Sequence, residues 1–295
     1  MRVAHITDIH WQLPPRFRDL LSFRRLLGTL NLYVGGRGHH FSSDVQRELV
    51  EHCLRLKPDI VVVSGDLTAQ GTEAEFTLAR EMLRPLLDTV PSLVIPGNHD
   101  AYAADTVRGD WMNKYFGDWR HMDGSIGRLV EGSVTVLGLD PNRPQWLLAN
   151  GKIPEEQLAD LERVLNGPDL TQHVVLTLHY PVVDKDGSVY DGKKHGLLNA
   201  RHLMDVLSRV RRKPDMILHG HIHHGYRGRI ELAGGAVTTY DCGASGYAYM
   251  PELRRCASMN LYTFKEDGSS HRVDRYQYNG ETFAPEKGGA YATGR

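Results

Sequence analysis

Five short motifs supply side chains that could bind metal ions together. They are Asp8-Ile9-His10, Gly65-Asp66, Gly97-Asn98-His99-Asp100, His179 and Gly220-His221-Ile222-His223. Between them they offer carboxylates, one amide and several imidazoles, and no cysteine. Mixed oxygen and nitrogen donors of this kind suit borderline ions such as Mn, Fe or Zn. The motifs therefore predict a metal site, provided that the fold brings them together.

Each motif follows a segment with the pattern of a buried strand. These segments are short runs rich in β-branched residues and bounded by Gly, Pro or Asp, at 2–7, 59–64, 92–96, 173–178 and 215–218. Ligands in open α/β sheets collect at the carboxyl ends of the strands. We therefore expect the five motifs to converge on one crevice.

The segments between and after these strands complete an α/β pattern. Helices are predicted at 43–56, 72–87, 154–165 and 199–210, and further strands at 225–232, 236–241, 257–264 and 271–278. Early βα alternation followed by antiparallel strands favours two packed sheets with helices outside them. We expect one catalytic domain over 1–283. The tail at 284–295 is rich in Gly and Ala, which predicts a segment that is mobile or lies over a neighbour.

Composition narrows the classes of function. The chain has 295 residues, 41% of them hydrophobic, and a formal net charge of −1. A generally basic surface for long nucleic acids is therefore not expected. No apolar run approaches the roughly 20 residues that span a bilayer. The first predicted strand begins at residue 2, which leaves no room for a signal peptide, and three widely spaced cysteines favour free thiols, so we expect a cytoplasmic protein.

The order of the motifs and the residue types around them resemble the calcineurin-like metallophosphoesterases. That resemblance implies an α/β fold, a four-layer α/β/β/α sandwich with two mixed β-sheets. It also implies two divalent or trivalent metal ions, with Mn, Fe or Zn favoured. Two ions roughly 3.5–4 Å apart clamp the attacking and leaving oxygens and lower the pKa of a bridging water. The implied reaction is attack of the bridging hydroxide on a phosphodiester.

The same resemblance implies a role for each site residue. Asp66 bridges the ions; Asp8, His10 and His223 complete one of them, and Asn98, His179 and His221 complete the other. His99 lies near the leaving-group oxygen, as a proton donor or a positive charge, and Asp100 orients its imidazole. Asn98, His99 and His195 are the expected substrate contacts, although His195 fits a loop residue without a role equally well.

Within that superfamily the chain is most similar to the class III cyclic-nucleotide phosphodiesterases. The similarity is carried by the segment 195–200 and by Leu178-His179-Tyr180-Pro181, where Tyr180 replaces a second His. The substrate implied is a small phosphodiester, with cyclic nucleotides among the candidates. Hydrolysis of phosphomonoesters, pyrophosphates or lipid-linked phosphates at the same site stays open. A scaffold without catalysis is disfavoured, because every expected ligand position is filled.

One segment departs from the resembled family. At 13–41 the chain has an insertion in which Leu20, Phe23, Leu27 and Leu30 would share one helical face. Arg18 and Arg25 would project on the opposite face. The segment fits either a helix packed on the core or a lid that contacts a membrane surface, since basic amphipathic helices favour anionic interfaces.

Overall fold

Buried β-branched runs form the strands from which the predicted motifs emerge. The computed structural model describes residues 1–17, 19, 22, 25–26, 28–29, 37–142, 149–191, 195–265 and 271–292. Its strands are β1 (Arg2–Ile6), β2 (Ile60–Val63), β3 (Ser92–Val94), β4 (Met122–Asp123), β5 (Ile126–Glu131), β6 (Val134–Gly138), β7 (His173–Thr177), β8 (Met216–His219), β9 (Tyr226–Leu232), β10 (Gly235–Asp241), β11 (Ser258–Phe264), β12 (His271–Tyr278) and β13 (Phe283–Pro285). Its α-helices are α1 (Ser43–Leu56), α2 (Glu73–Leu87), α3 (Ala104–Arg108), α4 (Trp111–Phe116), α5 (Glu155–Asn166) and α6 (Ala200–Arg209).

The strands form two mixed sheets. The first has the order β13-β12-β11-β1-β2-β3, and the second has the order β4-β5-β6-β7-β8-β10-β9. In the first sheet β1, β2 and β3 run parallel, whereas β11 lies antiparallel to β1. In the second sheet β6, β7, β8 and β10 run parallel, and antiparallel strands close both edges. The parallel strands at the centre of each sheet all end at one edge.

The two sheets pack face to face, and helices cover their outer faces. In β2, Ile60 and Val62 point into the layer between the sheets, where they meet Val136 and Val175. The alternate residues of β2 point the other way, into the core under α1 and α2, because side chains alternate along a strand. The outer face of the second sheet is covered in the same way by α5 and α6. The predicted four-layer sandwich is confirmed.

The predicted elements agree closely with the observed ones. The predicted helix at 43–56 has the bounds of α1, and the other three predicted helices differ from the observed ones by one residue at one end or both. Sequence analysis missed the region from Ala104 to Gly138, which holds α3, α4 and β4 to β6. Helices of five and six residues are too short to show a helical periodicity.

The described part of the C-terminal tail, as far as Ala292, packs on the domain. β13 pairs with β12, and the Tyr291 hydroxyl donates to the Asp241 carbonyl at 3.0 Å. The Tyr291 ring also lies beside the guanidinium of Arg275, 5.4 Å from its central carbon. Tyr291 thus anchors the tail, although the Gly-rich composition of this segment indicated no anchoring contact. Residues 293–295 lie outside the described residues.

Only part of the 13–41 segment can be compared with its prediction. The four residues of the predicted apolar face, and Arg18 opposite them, lie outside the described residues. Arg25 is described and is 1% exposed, so it does not project into solvent as expected. Its guanidinium donates to the carbonyls of Gln70 and Gly71 and pairs with the Asp105 carboxylate. None of the helices in the described ranges is long and apolar enough to cross a membrane.

Candidate metal centre

Sharp turns after the parallel strands aim the predicted ligands into one crevice. Five of the seven predicted ligands have a positive φ: Asp8 (51°), His10 (55°), Asp66 (54°), His221 (77°) and His223 (60°). Left-handed backbone is uncommon for residues other than glycine and concentrates where function requires it. Here the five residues lie two to four positions beyond the ends of β1, β2 and β8. The surrounding fold maintains this uncommon backbone conformation, and the conformation sets the direction of each ligand side chain.

The glycines of the motifs make room for these carboxylates. A Cβ at Gly97 would lie 2.1 Å from the Asp66 carboxylate, and a Cβ at Gly220 would lie 2.3 Å from that of Asp8. Both separations are far below van der Waals contact. The glycines of Gly-Asn-His-Asp and Gly-His-Ile-His are therefore required by close approach to the carboxylates of other loops.

A first group of donors consists of Asp8, His10, Asp66 and His223, whose ligand atoms all lie within 4.8 Å of one another. The Nε2 atoms of His10 and His223 are 3.2 Å apart. Asp8 Oδ1 lies 3.2 Å from His223 Nε2, yet it is buried and accepts no hydrogen bond of good geometry from the described part of the chain. A buried carboxylate oxygen without a hydrogen bond, surrounded by three other ligand side chains, fits a cation bound among them.

A second group faces the other oxygen of Asp66. The Asn98 Oδ1 atom lies 2.7 Å from His221 Nδ1 and 3.2 Å from His179 Nε2. Asp66 Oδ1 lies 3.4 Å from His179 Nε2, whereas Asp66 Oδ2 lies 3.5 Å from His10 Nε2. The two carboxylate oxygens of Asp66 thus point to different donor groups. All seven predicted ligands are brought together.

Hydrogen bonds at the far ring nitrogens orient three of the imidazoles. His179 Nδ1 lies 2.9 Å from the Ser64 carbonyl, and His221 Nε2 lies 2.9 Å from the His195 carbonyl. Donation to a carbonyl fixes the tautomer, so that in the neutral ring the opposite nitrogen carries the lone pair. His223 Nδ1 lies 3.0 Å from the Tyr247 hydroxyl. Tyr247 was missed by sequence analysis, because it stands outside the motifs; the Gly- and Ser-rich run before it was its only signal.

Burial and the carboxylates set the charges in the centre. Burial lowers the pKa of His221 to about 3, which keeps its imidazole in the neutral form that ligates metals. Burial would also lower the pKa of His179, but the Asp66 carboxylate outweighs it and raises that pKa to about 10. For Asp8 burial acts upward, and it is overcome by His223 and His10, so its pKa lies well below the usual range.

The structure corrects the predicted role of Asp100. Its carboxylate accepts hydrogen bonds from the backbone N–H groups of Gly97, Leu67 and Thr68, at 2.9, 3.0 and 2.9 Å. The His99 ring is held instead by a hydrogen bond from Nδ1 to the Ala69 carbonyl. Buried backbone donors require an acceptor, and Asp100 supplies it. Asp100 therefore ties two site loops together rather than orienting the imidazole.

The other two predicted substrate contacts lie at the centre. The His99 ring stands edge-on to that of His10, with the centroids 4.6 Å apart. The side chain of His195 is exposed, and its ring centroid is 6.0 Å from that of His221. The observed contact of His195 with the centre is through its carbonyl. Contact of its side chain with substrate stays a prediction.

Comparison with known proteins gives the same family as the motifs. The matched family is described as calcineurin-like phosphoesterase, and the match covers residues 1–225. A probable glycerophosphodiester phosphodiesterase of Arcobacter nitrofigilis is 33% identical over 172 residues, which is 58% of this chain and 58% of that protein. A probable cyclic nucleotide phosphodiesterase of Vesicomyosocius okutanii is 24% identical over 81% of this chain and 90% of its own length.

Among solved structures, a purple acid phosphatase from yellow lupin (Lupinus luteus) shares the fold. It superposes with a TM-score of 0.60 at 14% identity, over 96% of this chain and 52% of that one. The predicted class of metal-dependent phosphoester hydrolase is confirmed at the level of the family. Because the family match extends over most of the sequence and includes every motif of the centre, the chain belongs to the calcineurin-like phosphoesterase family.

Proposed function

We propose that this protein hydrolyses phosphoric diesters with two metal ions held side by side. The observation that carries the proposal is the position of Asp66 between two donor groups. Its Oδ2 atom lies 3.5 Å from His10 Nε2 and its Oδ1 atom lies 3.4 Å from His179 Nε2. A carboxylate that serves two sets of ligands at once suits a bridged pair of ions.

The residues present fit such a pair. Asp8, His10 and His223 would hold one ion and Asn98, His179 and His221 the other, with Asp66 shared. When bound, two ions clamp the attacking and leaving oxygens of an in-line displacement and make a water acidic enough to act near neutral pH. The donor set of carboxylate, amide and imidazole favours Mn, Fe or Zn.

His99 is the protein group assigned to the leaving oxygen. Its Nδ1 atom is engaged by the Ala69 carbonyl, so its Nε2 atom is left for the substrate. Burial lowers the pKa of His99 to about 4, so the imidazole is neutral in the free protein near pH 7. An anionic substrate beside it favours the protonated form. The role of proton donor therefore requires His99 to take up a proton when substrate binds.

The relatives' names guide the choice of ester. One is named for glycerophosphodiesters and the other for cyclic nucleotides, and both substrates are phosphoric diesters. Two phosphorus–oxygen ester bonds are the feature that they share. We therefore assign phosphoric diesters as the substrate class, with glycerophosphodiesters and cyclic nucleotides as the two kinds to compare.

A metal and substrate assay tests the proposal. Protein reconstituted with Mn should bind two ions per chain and should cleave bis(p-nitrophenyl) phosphate faster than p-nitrophenyl phosphate. Asp66→Asn should bind at most one ion and lose nearly all turnover. Asp88→Asn, which changes a partly exposed carboxylate at the end of α2, should match the wild type. Two bound ions with preferred cleavage of the monoester would overturn the assignment to diesters.

A further inference from the structure

A cavity of about 600 Å³ opens beside the candidate metal centre and shares His223 and Tyr247 with it. Apart from a short stretch at 223–225, its wall is built by residues between 247 and 291. These lie beyond the residues 1–225 that match the family. The volume is within the range of small-molecule sites. Membership of the family accounts for the centre but not for this cavity.

A short series of contacts joins the cavity to the centre. The Arg255 guanidinium lies over the ring of Tyr247, 5.9 Å from the ring centroid. The hydroxyl of the same tyrosine lies 3.0 Å from His223 Nδ1, and His223 Nε2 is one of the atoms of the first donor group. One aromatic side chain therefore separates the cavity wall from the predicted ligands. His223 therefore belongs both to the cavity wall and to the first donor group.

The rim of the cavity is positively charged. Arg254 and Lys287 are exposed there, and neither forms an ion pair with any described residue. At the floor, Arg275 is neutralised by Glu286, whose carboxylate lies 3.2 Å away. The rim charges are thus not balanced locally, although the whole chain has a net charge of −1. Unbalanced cations around a concave surface attract an anionic ligand.

Aromatic rings give the cavity an apolar surface as well. Tyr249 is 45% exposed, and its ring stands edge-on to that of Tyr278 with the centroids 6.1 Å apart. Exposed tyrosine rings provide contact area for an organic group and keep a polar end in water. The walls therefore suit an organic substituent with a charged end better than a free inorganic anion.

We infer that this cavity binds the second ester substituent of the substrate and that this substituent carries a further negative charge. The ligand class is a phosphoric diester in which one alcohol bears a carboxylate or a second phosphate. Arg254 and Lys287 are then determinants of specificity and take no part in the reaction itself. The inference rests on the proposed function, since it places the scissile phosphate at the metal centre.

A matched series of p-nitrophenyl diesters tests the inference. The second alcohol is 4-hydroxybutanoate, 1,4-butanediol or choline, so that the second substituent is anionic, neutral or cationic. A fourth ester carries butanediol monophosphate, which allows a phosphate to be compared with a carboxylate as the anionic group. In each case water oxygen attacks phosphorus and the bond to the nitrophenolate oxygen breaks, so one absorbance reading follows all four. The wild type should give the highest kcat/KM with an anionic arm, and this advantage should decrease with added salt.

Removing the rim charges should remove the preference. In Arg254→Gln/Lys287→Gln, the ratio of kcat/KM for the anionic ester to that for the neutral ester should fall about tenfold, the effect expected when charge-assisted contacts are lost. Arg229→Gln is the matched control, because Arg229 is an exposed arginine on β9 away from the cavity. An unchanged ratio in the double variant, or an equal fall in the control, would overturn the inference.

Failure of the proposed function is distinguishable from failure of the inference. If the wild type cleaves none of these esters and no bis(p-nitrophenyl) phosphate, the proposed function fails. Titration calorimetry with 4-phosphooxybutanoate, and with butyl phosphate as the reference, then decides about the cavity. About tenfold weaker binding of the carboxylate-bearing probe to the double variant, with butyl phosphate unaffected, supports it. Equal binding of that probe by the wild type and the double variant overturns it.

Discussion

His99 is the residue whose removal separates binding of metal from catalysis. Its ring is held by the Ala69 carbonyl, and it is not among the seven predicted ligands. We expect His99→Ala to keep its metal and to lose about 10²–10⁴-fold in kcat on alkyl esters, which need a proton on the leaving oxygen. The loss should be smaller on p-nitrophenyl esters, because nitrophenolate leaves without one.

Metal analysis together with steady-state kinetics checks this prediction. His121→Ala serves as the control, since the His121 ring contacts the Ser92 carbonyl at 3.0 Å and has no predicted role. Full activity of metal-loaded His99→Ala on an alkyl diester would exclude His99 as the proton donor.

We expect the removal of Asp100 to lower the stability of the fold and to affect kcat only as a consequence. Its carboxylate accepts from the loop that carries Asp66 and from the loop that carries Asn98. Removing it leaves three buried backbone donors unpaired, so Asp100→Ala should lower the free energy of unfolding by at least about 3 kcal/mol. Metal content should fall with it. Denaturant unfolding measures this, and a variant of normal stability with reduced kcat would restore the orienting role.

At this scale the sequence predicted which residues meet but not all of their partners. The motifs identified every member of the two donor groups, because a ligand needs a particular chemical type at a strand end. The partner of His99 is a backbone carbonyl of Ala69, which no residue type reveals. Tyr247 acts through one hydroxyl in a loop without a motif. Such partners are determined by how distant loops pack against each other, and no local pattern in the sequence indicates that packing.

Among the elements, α2 offers a test of pH dependence. Glu75 and Thr72 form a capping box at its start, and Glu75 Oε2 also accepts from Gln70 N at 2.9 Å. Burial raises the pKa of Glu75 to about 7, above its ordinary value of 4.5. The folded state therefore binds this proton more tightly than the unfolded state. The resulting stability is present below about pH 4.5 and is lost as the pH rises through about 7.

Replacing the Glu75 carboxyl should reduce the dependence of stability on pH. Glu75→Gln keeps the capping box but cannot ionise, so its free energy of unfolding should gain on the wild type between pH 5 and pH 8. Denaturant unfolding at several pH values measures the difference. Glu81→Gln, an exposed change on the same helix, should follow the wild type. A constant difference between wild type and Glu75→Gln across that range would contradict the raised pKa.

The helices and strands that could be predicted from the sequence are the longer and more deeply buried ones. Parallel strands covered on both faces appear in the sequence as short apolar runs, which is why β1, β2, β3, β7 and β8 were found. The short α3 and α4 carry too few turns for a periodic signal. Left-handed backbone at five ligands was not predictable, because nothing in an Asp or a His demands a positive φ.

For the whole molecule, the centre joins the two sheets. Asp8, Asp66 and Asn98 follow strands of the first sheet, and His179 and His221 follow strands of the second. Because the ligands come together only in the folded state, metal ions bind that state alone. This binding stabilises the folded state by about 2.7 kcal/mol when the free metal concentration is 100 times the Kd. We expect a chelator to lower the Tm of the metal-loaded protein by several degrees.

Scanning calorimetry at several metal concentrations measures this shift. Asp66→Asn, which lacks the shared carboxylate, should respond less to the chelator than the wild type. A Tm that is the same with and without chelator would mean that the ions do not hold the sheets together.

The neighbour of β1 comes from the far end of the chain. β1 lies between β2 and β11, and Arg2 pairs with Thr263. During synthesis the first ligand, Asp8, therefore emerges from the ribosome long before the strand that completes its sheet. An unfinished chain has β1 with one open edge, and its donors lie on a strand that is not yet fixed. The order of translation thus leaves the sheet that carries Asp8 incomplete until β11 has been made.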